Sequence, residues 1–197
     1  MKNKLKIWFS LILIVTSVSM NYSQEKKWSV SVAEDPVTYL YRGYSAMIFF
    51  ENIDYENWRT GVELFSMDMP DFYIDLHPSN QNEGWSHRVD HGVILYLDYF
   101  FENSNLSKSK WHMGSGLSWM KSKLSRNDYQ EKAEYNVTEV FYRVGYQWFP
   151  FKNSSIFIDP WVTLAWMHPG DHRSIGDETY AVNSIQLISS MHVGFKF

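Results

Sequence analysis

The chain has no cysteine among its 197 residues. Disulfides are therefore excluded as a source of stability, and so is a lipid anchor attached through cysteine. A transmembrane helix is also missing. The start, "MKNKLKIWFSLILIVTSVSMNYSQ", has the plan of a secretory leader. Lys2, Lys4 and Lys6 form its basic start, Ile7 to Val18 its apolar stretch, and Ser17 and Ser19 its small residues for cleavage. That apolar stretch, about 12 residues, is well short of the ~20 that cross a bilayer. Residues 1–23 are thus expected to be removed after Sec-type export, with the cut between about 19 and 24, leaving 24–197 as one domain.

Positive charge is scarce as well. The net charge is −4, and loss of the three leader lysines takes it to −7. An acidic chain with no basic stripe excludes nucleic acid as a partner. There is no tandem repeat, heptad pattern or low-complexity run. A glycine-rich phosphate loop, an HExxH metal motif and a nucleophile elbow are absent too. Nothing calls for a cofactor or a metal. With no second long apolar run, the chain can enter a membrane only as a closed barrel, since lipid leaves no other way to satisfy the backbone.

What the chain does have is alternation. Apolar residues recur every second position over roughly 26–33, 37–50, 57–67, 88–101, 110–123, 134–148, 154–167 and 183–197, which reads as eight strands. In the last, Ile185, Leu187, Met191, Val193, Phe195 and Phe197 share one parity. The connections alternate too. The second, fourth and sixth ("ENIDYE", "ENSNLSKS", "FPFKN") are short, whereas the third, fifth and seventh are long and polar. The first, "AEDP", reads as short. Outer-membrane barrels have an even strand number, short periplasmic turns and long external loops. The pattern predicts an all-β fold, an eight-stranded antiparallel transmembrane up-and-down β-barrel.

Aromatic residues mark both ends of the strands. Trp28, Phe49, Phe50, Trp58, Phe100, Phe101, Trp111, Trp148, Phe149 and Phe197 fall at one end, and Tyr39, Trp119, Tyr135, Trp166 and Tyr180 toward the other. Amphipathic rings favour the two rims of a membrane barrel. On this reading Val89, Val93, Leu95, Leu97 and Tyr99 face lipid, as do Val140, Val144 and Trp148, and Ile156, Val162 and Leu164. Arg59, Glu63, Asp90, Asp98, His112, Glu139, Arg143, Asp159, His192 and Lys196 then line the lumen with several glycines. Eight strands enclose room for side chains only. Those charges must pair, so the lumen is expected to be a plugged ionic network. Residues 37–50 carry apolar residues on both parities and leave their sidedness open. Pro160 predicts a bulge.

The terminal "MHVGFKF" resembles the carboxy-terminal β-signal of outer-membrane barrels, carried by Met191, Val193, Phe195 and Phe197. The segments "DPVTYLYRGYSA", "MDMPDF", "YRVGYQWFPF" and "IDPWVTLAW" resemble a family of small outer-membrane β-barrel proteins of Gram-negative bacteria. The resemblance implies the barrel-assembly machinery, outer-membrane lipids and lipopolysaccharide as partners, and it implies no activity. A structural or surface-binding role follows, with an external ligand at Phe72, Tyr73, Trp85, Asp171, Asp177 and Glu178 in the loops.

Two other readings stay open here. "LHPSN" resembles the His-x-Ser-Asn motif of the lipid A 3-O-deacylases, which implies His77 as base and Ser79 as nucleophile, beside Pro78 and Asn80. Pro78 breaks the strand that would align them. A soluble, lipocalin-like periplasmic barrel would turn the apolar parity inward. His87 and His91, four residues apart on a strand, lie about 13 Å from each other and do not share an ion.

Overall fold

A computed structural model describes residues 28–55, 57–101 and 109–197. The expected leader and most of the fourth connection lie outside the described residues. The strands are β1 (Trp28–Glu34), β2 (Tyr44–Asn52), β3 (Trp58–Asp68), β4 (Trp85–Phe100), β5 (Lys110–Arg126), β6 (Lys132–Gln147) and β7 (Ile156–Pro169). A small hairpin, β8 (Ser174–Ile175) and β9 (Glu178–Thr179), precedes β10 (Ile185–Lys196). Eight strands close into an antiparallel ring in the order β1-β10-β7-β6-β5-β4-β3-β2. Closure puts Ser31 opposite Lys196 and Glu34 opposite Val193. A closed ring leaves no edge unprotected along the paired length.

Alternation dictates the walls. In β6 the odd residues from Ala133 to Gln147 are buried and most of the even ones are exposed. Over much of the barrel this order is inverted relative to a soluble protein. Arg59, Asp98, His112, Asp159 and His192 are wholly buried, while Leu64, Leu95, Leu97, Leu117, Val140, Val144 and Leu187 are exposed outside. The lipocalin-like arrangement is therefore overturned.

Above this zone the chemistry of the two faces swaps. In β6 the apolar residues are odd up to Val137 and, Phe141 excepted, even from Val140 onward, with the strand unbroken. In β5 they are odd up to Trp119 and even at Met120 and Leu124. Strand β4 reaches the same result through a bulge between Val89 and His91, whose extra residue also shifts the β3–β4 ladder between Phe65 and Met67. One extra residue reverses every side chain beyond it. Val89 therefore faces inward and is buried, not lipid-facing as the unbroken parity predicts. Tyr135 and Tyr180, expected in a rim girdle, are buried as well.

Other expectations are corrected locally. Residues 37–50 are not one strand. Asp35 caps a short helix, α1 (Pro36–Leu40), its carboxylate accepting from the Val37 N–H at 2.9 Å, and Pro36 suits the first helical turn. The first connection is therefore residues 35–43. In β2, Met47 and Phe49 point in and Phe50 points out, so only one of the two adjacent phenylalanines joins the outer ring. Phe100 and Phe101 divide in the same way. Pro160 produces no register shift. The β6–β7 ladder lapses at Pro160, which has no N–H to give, and resumes in register at Trp148 and Ile158 through bonds of 2.7 and 2.8 Å. The fifth connection, residues 127–131, is short because β5 and β6 run on. The third connection holds a one-turn helix, α2 (Asp71–Ile74).

Inward glycines make room for rings. A Cβ at Gly61 would meet Phe49, at Gly92 Phe65, at Gly116 Phe141 and at Gly194 Phe157. Overpacking of this kind costs about 1–3 kcal/mol. Gly116→Ala is expected to lose that much stability, read as an earlier urea midpoint for the protein in detergent micelles, with the unheated gel mobility of the folded form retained.

Candidate functional site

The lower lumen is an ionic plug. β3 and β7 sit diametrically opposite, with three strands between them on either side of the ring. Arg59 on β3 nevertheless reaches Asp159 on β7, Nη2 to Oδ2 at 3.0 Å, so one ion pair spans the bore. Arg59 Nε also donates to Asp98 Oδ2 at 2.8 Å. Arg143 grips both oxygens of Asp98, at 2.8 and 2.6 Å. His112 Nε2 lies 2.8 Å from Asp159 Oδ1. Flat rings cover the guanidinium faces: Arg59 lies 4.4 Å from Phe49 and 4.9 Å from Phe100, and Arg143 lies 3.9 Å from Tyr96. The Trp161 indole N–H donates to His192 Nε2 at 2.8 Å. Glu63 accepts from the Tyr96 and Ser45 hydroxyls, and Lys196 pairs with Glu51.

The upper lumen is filled from the loops. Ile74, Ile175 and Tyr180 drop in from the third and seventh connections onto Trp85, Val89, Met120, Leu124 and Val137. Asn80 clamps the two loops together. Its amide donates to Ile74 O at 3.1 Å and Ala181 O at 2.8 Å, and its Oδ1 accepts from the Ala181 N–H at 3.0 Å. Burial, with the charge of Asp75, pushes the Tyr180 phenol up to about 12. Between the two plugs lies a cavity of about 260 Å³. On the loop end, a cleft of about 530 Å³ runs between the first and third connections, lined by Arg42, Asp68, Asp71, Arg88, Lys123 and Lys132 among others.

Outside, Leu95, Leu117, Val140, Trp166 and Ile185 are successive register partners across five strands, a continuous apolar row. Trp28, Trp58, Trp111 and Trp148 stand exposed at the end away from these loops, and Trp119 and Trp166 at the other. From Trp111 to Trp119 the strand climbs about 27 Å. Just beyond, Asp68, Arg88, Lys123 and Glu134 are register partners in a charged row on the outer wall. Arg88 meets Asp68 at 2.5 Å, Lys121 meets Glu134 at 2.7 Å, and Lys123 pairs with Asp90.

The expected lumen residues thus divide. Arg59, Glu63, Asp98, His112, Glu139, Arg143, Asp159, His192 and Lys196 lie inside. Asp90 does not: the bulge swings it to the outer charged row. Among the loop candidates, Trp85 is buried in the upper lumen, whereas Phe72, Asp171, Asp177 and Glu178 are exposed. His77 Nδ1 accepts the Ser79 backbone N–H at 3.3 Å, so this turn does not present the imidazole to the Ser79 hydroxyl. Asn80 serves the loop clamp. His87 and His91 lie on either side of the bulge, His91 exposed and His87 turned toward Tyr135. Sequence reasoning missed Phe49, Phe100 and Tyr96 as ring partners of the arginines. Their inward parity in β2 and β4 was the available signal.

No protein-family model and no curated protein sequence matches the chain. Several solved structures are similar to it, three of them as follows. The N-terminal β-barrel domain of Pseudomonas aeruginosa OprF is 11% identical, with a TM-score of 0.49 over 86% of this chain and 96% of that one. Neisserial surface protein A is 10% identical, with a TM-score of 0.45 over 86% and 94%. A major outer membrane protein from Thermus thermophilus is 11% identical, with a TM-score of 0.46 over 86% and 98%.

Removing Asp98 would strand the buried Arg143 guanidinium and leave Arg59 with Asp159 alone. Breaking a buried pair costs about 3–5 kcal/mol. Asp98→Ala is expected to lose that much in urea unfolding from micelles, and Asp98→Asn to lose less. Asn80→Ala removes three loop hydrogen bonds but no strand contact. It should speed protease cleavage in residues 170–184 several-fold while the barrel keeps its unheated gel mobility.

Proposed function

We propose that the chain is an integral outer-membrane β-barrel with an occluded lumen, acting as a structural or surface-binding protein through its loop end. The observation that carries this reading is the apolar outer band, bounded by tryptophans at both ends and by the charged row at one. Outer-membrane barrels have such a band about 25 Å tall between aromatic girdles. Outer-membrane lipids and lipopolysaccharide are then its immediate partners, and the charged row lies at headgroup level. Met191, Val193, Phe195 and Phe197 are the residues proposed for recognition by the barrel-assembly machinery. The exposed Phe72, Asp171, Asp177 and Glu178, with the cleft between the first and third connections, are the surface proposed for an external ligand.

The absence of cysteine makes the topology directly testable. Glu134→Cys is expected to react with a membrane-impermeant maleimide on intact cells, and Val144→Cys to remain unlabelled until the membrane is dissolved. Glu134→Cys unlabelled on intact cells and labelled only after lysis would overturn the orientation. In planar bilayers the purified protein should give no large, stable conductance, because the Arg59–Asp159 pair crosses the bore.

A further inference from the structure

The barrel wall is incomplete on one side. The β1–β10 ladder stops at Glu34 opposite Val193, whereas β10 continues to Ile185 with β7 as its strand partner. Val193, Phe195 and Phe197 turn their backbone groups toward β1, as the 2.8 Å bond from Phe197 N–H to Val30 O shows. By the same parity, Leu187, Ser189 and Met191 present theirs to a place where β1 no longer runs. Instead, α1 packs against β10, and Tyr73 of α2 and Ser189 of β10 line the same cavity. Leu187 is the register partner of Leu164, which is the partner of Tyr142, so the gap lies at the height of the apolar band. Leu40 and Phe72, on the two short helices, are exposed beside it.

Behind the gap is the cavity of about 260 Å³, whose lining includes Tyr73 and Ser189. At about 30 Å³ per water-sized group, it holds roughly eight or nine of them. Much of its wall is apolar and adaptable: Phe141, Ile188 and four methionines, Met67, Met69, Met120 and Met167. The polar exceptions are specific. Glu139 lines the cavity, is 7% exposed, and has neither a hydrogen-bond nor a charge partner among the described residues. Its register partner Ser118 has a buried hydroxyl without a partner, and Gln186 a buried side-chain oxygen in the same state. A carboxylate and an amide oxygen only accept hydrogen bonds. The guanidinium in this wall, Arg143, is held by Asp98 through Nε and Nη2, with only its Nη1 unpartnered, and the Glu63 carboxylate is met by two hydroxyls. What Glu139 lacks is a partner, and a positive donor suits a buried lone carboxylate.

We propose that this cavity binds a small apolar amine of about nine heavy atoms. Its ammonium sits on Glu139, its body lies among the methionines, and it enters sideways through the gap beside β10. Phenethylamine and its neutral analogue phenethyl alcohol are matched probes, read by the methyl carbons of ¹³C-methyl-methionine-labelled protein in micelles. Met113, on the outer wall, reports partitioning into the micelle. Phenethylamine is expected to move the Met120 and Met167 signals saturably, with the alcohol at least tenfold weaker and Met113 unmoved. Glu139→Gln should bring the amine down to the alcohol's level. The proposal fails if amine and alcohol act alike, if Met113 moves as much as Met120, or if no signal moves. The amine–alcohol comparison on the unaltered protein decides even if the variant does not fold.

Discussion

The pair between Arg59 and Asp159 is the constraint on which the rest depends. It joins opposite walls of a closed ring, because eight strands set a bore narrow enough for one arginine to cross. Neither charge is tolerable alone in that interior. Asp98 then holds Arg59 and Arg143 together, and His112 completes Asp159. Phe49, Phe100 and Tyr96 form the flat surfaces that keep the guanidinium groups dry and oriented. The inward glycines follow from this in turn, because rings of that size fit in so narrow a bore only where the facing residue has no side chain.

Above this network the barrel is built to the opposite rule. Its interior is greasy and its outer wall charged, as in a protein surrounded by water. The change falls at nearly one height on neighbouring strands: after Val137 in β6, after Trp119 in β5, and at the bulge of β4. The two zones are held by different forces, ionic below and hydrophobic above, and the cavity with Glu139 lies where they meet.

Much of this was legible from residue order. Eight strands, the closed ring and the interior placement of Arg59, Asp98, Arg143 and Asp159 follow from period-two alternation, because a strand has only two faces. The failures have physical causes. A bulge leaves no mark in the alternation, so Val89 and Asp90 exchanged faces unnoticed. Tyr135 was assigned to a rim because a single rule was applied along the whole of β6, although the apolar parity visibly changes between Val137 and Val140. Asp35 and Pro36 are ordinary helix-start residues, yet a five-residue helix is too short to show a period. The partner of Asn80 lies 101 residues away, a distance no local pattern encodes.

The swap of polarity has a consequence for how the molecule sits. A barrel with one apolar band and ragged edges could ride higher or lower in its membrane at little expense. Here a downward slip would carry Lys121, and then Lys123 and Glu134, into the hydrocarbon, and an upward slip would carry Trp119, and then Leu117 with its partner Leu95, toward water. The draught of the vessel is fixed by its own waterline, and the side opening beside β10 is held at a constant depth in the bilayer.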